Sequence, residues 1–317
     1  MRRRKLKDLL LLVLIDLAAF LSVFLLAGIV ISVFARGFPV VSGTFLTTVT
    51  SILHGTVGIA GNIVNTIYIM VLTLFIAVPV GVGAAVWLNE YAGHGRIVRM
   101  IEFTTETLAG IPSIVFGLFG MMFFGTTLGL GYSILTGALT LTIMVLPLIT
   151  RNAQEALRAV PAGYREGAIS LGAGRWYMIR TILLPAARPG ILTGVILAAG
   201  RIVGESAALL FTAGSGYLLP EGGMGLFRKI TESGGTLAVE LYLSMSKAQY
   251  NVAFGIAAVL LCMIMLINLI VDRMVSRMEG RPEPEDLQMH EWKSADRRCS
   301  TRGREYRWLP LRSERIN

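Results

Sequence analysis

Pro161-Ala-Gly-Tyr-Arg-Glu-Gly-Ala-Ile-Ser-Leu-Gly172, continued by Ala-Gly-Arg-Trp-Tyr-Met-Ile-Arg-Thr-Ile182-Leu-Leu-Pro185, is a polar, glycine-punctuated segment held between two strongly apolar ones. Pro161 suits the first turn of a short helix, and Gly172 and Gly174 suit its C-terminal turn. A second short helix then runs until Pro185 stops it. The segment thus predicts a helix, a glycine turn and a helix. Gly167, Ala168 and Gly172 are small enough, and spaced, to let another helix or a partner's cleft come close. Two uses fit this pattern: a connector lying along a membrane surface, or a docking element for another protein.

Outward from this segment the chain is dominated by hydrocarbon. Of 317 residues, 54% are hydrophobic and 15% charged, and the mean hydropathy is +0.66. This composition excludes both a soluble globular protein and a disordered chain. Six stretches are long and apolar enough to cross a bilayer as helices: 9–34, 63–88, 108–124, 132–149, 191–211 and 252–271. The third and fourth are short and interrupted by Gly110, Pro112, Gly117, Gly120 and Pro147, breaks that neighbouring helices can satisfy. The first apolar run exceeds the h-region of a signal peptide, and Phe34-Ala35-Arg36 is a poor cleavage site, so it is expected to stay as an anchor. The fold class is an all-α polytopic membrane protein of six transmembrane helices.

The net charge of +9 acquires its meaning from position. Lys and Arg number 5 before the first span, 2 in 89–107, 6 in 150–190 and 11 after Asp272, or 24 on one side. Only Arg36, Arg228, Lys229 and Lys247 fall on the other. By the positive-inside rule both termini are cytoplasmic. Basic excess of this kind reports topology, not nucleic-acid binding. The two cysteines, Cys262 in the sixth span and Cys299 in the tail, exclude a disulfide scaffold.

One cation breaks the pattern. Arg201 sits ten residues into the fifth span, about 15 Å deep in a core about 30 Å thick, where an arginine is expelled unless a partner or a water-filled path receives it. Glu205 follows at i+4, on the same face of a continuous helix. The pair reads either as a self-neutralising link to a neighbouring helix or as an anion relay. In the second case Arg201 offers a planar fork to oxyanion oxygens, and Glu205 accepts from a protonated one, which suits hydrogen phosphate better than sulfate.

Glu166, Gly167 and Ala168, with Gly172 following, then Ile182, Leu184 and Pro185, resemble the complete EAA loop of ABC-importer permeases; Gly167 replaces the first alanine. The resemblance implies a type I permease fold and a loop, Glu166 to Pro185 within 150–190, that docks on a separate ATP-hydrolysing subunit. No Gly-Lys dipeptide occurs, so no G-x-x-x-x-G-K-[ST] phosphate loop can be written on this chain. The chain is thus expected to bind no cofactor, the ATP being used by its partner. Ala199-Gly200-Arg201-Ile-Val-Gly204-Glu205-Ser206 is similar to phosphate-importer permeases, as are Gly110-Ile-Pro-Ser-Ile-Val-Phe-Gly117, Val78-Pro-Val-Gly and Asn89-Glu90-Tyr91. The likeness is to the PstA type. It implies an inner-membrane subunit with Arg201, Glu205 and Ser206 in the substrate path. It further implies a homologous PstC-type permease, two PstB-type ATPase copies and a periplasmic PstS-type binding protein as partners. A permease for molybdate or sulfate, or a stand-alone channel, is the alternative.

The organisation expected is an N-terminal helix and extracytoplasmic loop over 1–62, a five-helix core over 63–275, and a polar cytoplasmic tail over 276–317. The tail reads as a disordered polyampholyte able to meet anionic membrane lipid. Asp16 lies within reach of the basic N-terminus and reads as structural. Glu102 and Glu106 are expected on a solvated face with Arg96 and Arg99. The segment from Gly214 to Tyr250 reads as a polar loop, either plainly solvated or a dock for a binding protein. His54 and His94 stand alone, and no spacing suggests a metal or a catalytic constellation.

Overall fold

In the computed structural model the described residues are 2–51, 56–93, 95–217 and 225–279. The tail from 280, with Cys299, and both His54 and His94 lie outside them. By mutual contact Met1–Val271 forms one unit and Asp272–Asn317 a second.

The chain opens with α1 (Arg2–Gly37), a short α2 (Gly43–Thr47) and a two-stranded antiparallel hairpin, β1 (Val49–Ser51) with β2 (Thr56–Ile59). Next come α3 (Ala60–Val86), α4 (Arg96–Ala109), α5 (Ser113–Gly120) and α6 (Ile134–Ala159). After these follow α7 (Ala162–Ser170), α8 (Arg175–Met178), α9 (Leu184–Val203), α10 (Ala207–Thr212), α11 (Gly225–Lys229), α12 (Leu237–Ser246) and α13 (Tyr250–Glu279). Single π-turns extend α3 through Tyr91 and α5 through Thr127, and another joins α8 to α9 across Ile179–Leu183.

Five helical runs are long and apolar enough to cross a membrane: Leu10–Gly37, Ala60–Tyr91, Ile134–Ala159, Arg175–Val203 and Tyr250–Arg273. A further apolar pair, α4 and the α5 run through Thr127, is bent by 101° and makes a sixth span where it crosses as one. The third expected span, 108–124, therefore straddles a corner. Gly110 weakens the helix there, and Pro112 drives Ile111 out of the helical region and has no N–H to give. In α6, by contrast, Pro147 is carried inside an unbroken helix.

The core lies among α3, α5, α6, α9 and α10, where Ile69, Ile134, Leu141, Val145, Ile149, Ile202 and Leu209 are fully or almost fully buried. In lipid, water no longer drives apolar groups together, so close van der Waals packing of small residues has to hold such helices. Gly117 leaves no room for a side chain against the Ala208 backbone, and Gly120 none against Thr140. Two hydroxyls inside α6 are satisfied locally: Thr140 donates to the Thr136 carbonyl at 2.7 Å and Thr142 to that of Ala138 at 2.8 Å. By contrast α1 is exposed along nearly all of 10–37, and among the described residues of that stretch only Gly37 is buried, against Phe254 of α13.

Within 214–250, residues 225–250 are more ordered than a polar loop. Thr236 caps α12 by accepting the Val239 N–H, and Leu237, Ala238 and Val239 are buried. Asn62 and Asn65 of α3 donate to the Gly235 carbonyl at 3.1 and 3.3 Å, and the Leu237 N–H donates to Thr66 at 2.9 Å. At ten residues the apolar α12 is too short to span a bilayer.

Candidate functional site

Two places carry the predicted functional residues. In the first, the helix bearing Arg201 ends at Val203, and Gly204, Glu205 and Ser206 separate it from α10. Glycine is a poor helix former, and the Glu205 N–H closes a tight turn onto the Ile202 carbonyl at 3.2 Å. The Glu205 carboxylate turns back to α10, where Oε1 accepts the Ala208 N–H at 3.2 Å. The expected ion pair on one helical face is therefore absent: Glu205 caps the next helix, because the helix that would align it with Arg201 has already ended. Among the described residues Arg201 makes no hydrogen bond or ion pair.

Arg201 lies at the mid-depth of the bundle. Gly190 packs on Ala156, Gly194 on Asn152, and Gly137 on Leu209, so α6 and the α9–α10 pair share one antiparallel register across the break. That register sets Arg201 level with Val145, near the middle of the 26-residue α6. Its side is open: Thr193, Leu197, Arg201 and Gly204 are exposed at helical spacing along one edge of α9. Ser206 is half-buried. The geometry supplies a free guanidinium at mid-depth and, one turn on, a carboxylate whose Oε2 has no partner among the described residues.

The second place is the loop. Pro161 caps α7, and the helix ends in a Schellman motif: Gly172 takes φ +75°, its N–H reaches the Ile169 carbonyl at 2.9 Å, and the Ala173 N–H reaches that of Ala168 at 3.0 Å. Ala168 is the one buried residue of α7, set in a cluster with Leu157, Val160, Met178, Ile179 and Leu183, while Ile182 is half-buried at its edge. Glu166 and Gly167 are exposed, and nothing stands within 4 Å of a side chain at Gly167. Tyr164, Ile169, Leu171, Trp176 and Tyr177 are exposed around them, Leu171 at 89%. Pro185 does not stop a helix. Arg175–Val203 is one helical run, and the π-turn just ahead of Pro185 accommodates its ring and missing N–H.

A residue overlooked in the sequence binds this loop to the bundle. Arg165 donates from Nη2 to Glu90 Oε1 at 3.0 Å and to the Leu157 carbonyl at 2.9 Å, and from Nη1 to the Val160 carbonyl at 3.1 Å. Asn89 donates to the same Glu90 oxygen at 2.7 Å. The side chains are 24% and 9% exposed. Only the proximity of Asn89-Glu90-Tyr91 to a span end hinted at this, since 75 residues separate the partners.

Glu102 and Glu106 pair across to α6, with Arg158 at 3.0 Å and Arg151 at 3.6 Å, and not with Arg96 and Arg99. These pairs stay open to solvent, so the face is solvated as expected while its partners come from α6 instead of α4. Among the described residues no His, Cys, Asp or Glu cluster is shaped to hold a metal ion.

Residues 77–283 match the family described as binding-protein-dependent transport system inner membrane component. The chain is 40% identical over 211 residues to a probable ABC transporter permease, YqgI, of Bacillus subtilis, covering 67% of this chain and 72% of that one. It is 38% identical to the phosphate transport system permease PstA of Xylella fastidiosa over 179 residues, 56% of this chain and 62% of the relative. In fold it is similar to a bacterial alginate ABC transporter chain solved with its substrate-bound periplasmic protein, at 16% identity and a TM-score of 0.65, covering 86% and 96% of the two chains. The bent span, the broken helix and the capped surface loop are thus parts of a type I permease, and the chain belongs to the family of binding-protein-dependent transport system inner membrane components, with PstA-type permeases among its relatives.

Proposed function

We propose that this chain is a permease subunit of an ATP-driven phosphate importer, and that the anion passes Arg201. The observation that carries the reading is the free guanidinium at mid-depth on the open edge of α9. A charge so placed in lipid is costly unless a water-filled path or a second chain faces it. A homologous permease packed on that edge encloses the path. Arg201 then presents its fork to phosphate oxygens, and the free Oε2 of Glu205 accepts the proton of hydrogen phosphate. Ser206, next to Glu205, adds a hydroxyl about one turn beyond Arg201. The similarity to PstA permeases supports phosphate over other oxyanions.

The exposed apolar residues around Glu166 form the surface on which a separate ATPase docks, one copy on each permease. The basic excess on the loop side sets that side, with both termini, in the cytoplasm. A periplasmic binding protein delivers phosphate from the opposite face. Competition decides the substrate: labelled phosphate uptake by cells depending on this system is expected to resist excess sulfate and molybdate. Equal competition by either anion contradicts the phosphate reading.

A further inference from the structure

We propose that Arg165 and Glu90 are positioning residues that transmit movement from the docking loop to the transport helices. The inference rests on the reading that α7 meets an ATPase. It is carried by how little else holds α7. Apart from its chain ends, α7 is attached through the small side chain of Ala168 and through Arg165. One end leads into the glycine turn at Gly172–Gly174, a slack connection to α8 and α9. Through hydrogen bonds Arg165 ties α7 to two other elements at once: the Leu157 and Val160 carbonyls at the end of α6, and Glu90 at the end of α3.

Those two helices form the bundle's most extensive packing and extend to the level of Arg201. A push on α7 thus has a short, directional route inward through a guanidinium fork, which resists bending as a single-point lysine contact does not. Glu90 sits in a π-turn, Trp87–Tyr91, where the helical ladder is locally widened. The far end of the strut is therefore fixed to the part of α3 best able to yield, with Asn89 holding the carboxylate in place.

The test uses the whole complex reconstituted in proteoliposomes, with assembly, ATP hydrolysis and phosphate uptake measured separately. Arg165→Lys and Glu90→Gln are expected to leave the ATPase bound and hydrolysing while phosphate moved per ATP falls roughly tenfold, the loss of charge-assisted hydrogen bonds. In a Cys262→Ser, Cys299→Ser background, Arg165→Cys with Glu90→Cys is expected to lose coupling and to regain it when a short thiol cross-linker restores the tether. Unchanged uptake per ATP in Arg165→Lys and Glu90→Gln overturns the proposal. So does loss of ATPase binding in both, which makes the pair an assembly element. Failure of the unmodified complex to retain an ATPase contradicts the docking reading itself, a separate result.

Discussion

A guanidinium at mid-depth and a carboxylate four positions later read as a pair on paper, yet the structure gives each a different duty. Glu205 is a cap. Glu205→Ala is therefore expected to lower the melting temperature by the equivalent of about 1 kcal/mol, while Glu205→Gln, which keeps an acceptor, stays close to the parent. If Glu205 also receives the phosphate proton, both variants lose uptake, and the two roles separate by comparing melting with transport. Elsewhere, burial pushes the Glu240 carboxyl up, and Lys247 pulls it partly back. A carboxyl raised in the folded state favours folding below its unfolded pKa and loses that contribution as pH rises through the folded value. At neutral pH, Glu240→Gln is expected to raise the melting temperature, with the gain vanishing in acid; no gain at neutral pH counts against a desolvated carboxylate there. Arg201 stood out because a charge within an apolar run costs free energy unless it is paired or hydrated. Arg165 was not, because its partner lies far away in sequence.

Among elements, α7 with its glycine turn was the most readable and Pro185 the least. Small residues, a proline start and a glycine stop describe α7 and its turn with no tertiary information. Gly172 takes a φ that a β-branched residue reaches only at a cost. Gly172→Val is expected to destabilise this turn by about 1–2 kcal/mol, seen as faster hydrogen exchange confined to α7 and α8. The opposite case is Ala248, between α12 and α13, held at φ 58° without being glycine. Ala248→Gly is expected to raise the melting temperature by the equivalent of about 1 kcal/mol; a decrease would mean that its methyl packs usefully. The helix break at Gly204 and the passage through Pro185 were misread for one reason. Local propensity sees a glycine or a proline, whereas packing of α9 on α6 and an available π-turn decide whether the helix ends.

For the molecule as a whole, composition and charge placement were enough for a multi-pass membrane protein, and the loop motif for its family. What they could not supply is the exposed edge of α9, left open where α3 and α6 pack on its other sides. That edge, with Arg201 on it, is where the proposed second permease would pack. Such packing explains why a free charge is tolerable there. Replacing Arg201 with Gln in the reconstituted transporter, and following phosphate uptake alongside ATP hydrolysis, tests this most directly. The account predicts an assembled complex that still hydrolyses ATP while phosphate uptake falls roughly a hundredfold, the scale of losing one partner of a desolvated charge pair. Phosphate uptake at the parent rate in Arg201→Gln would contradict it.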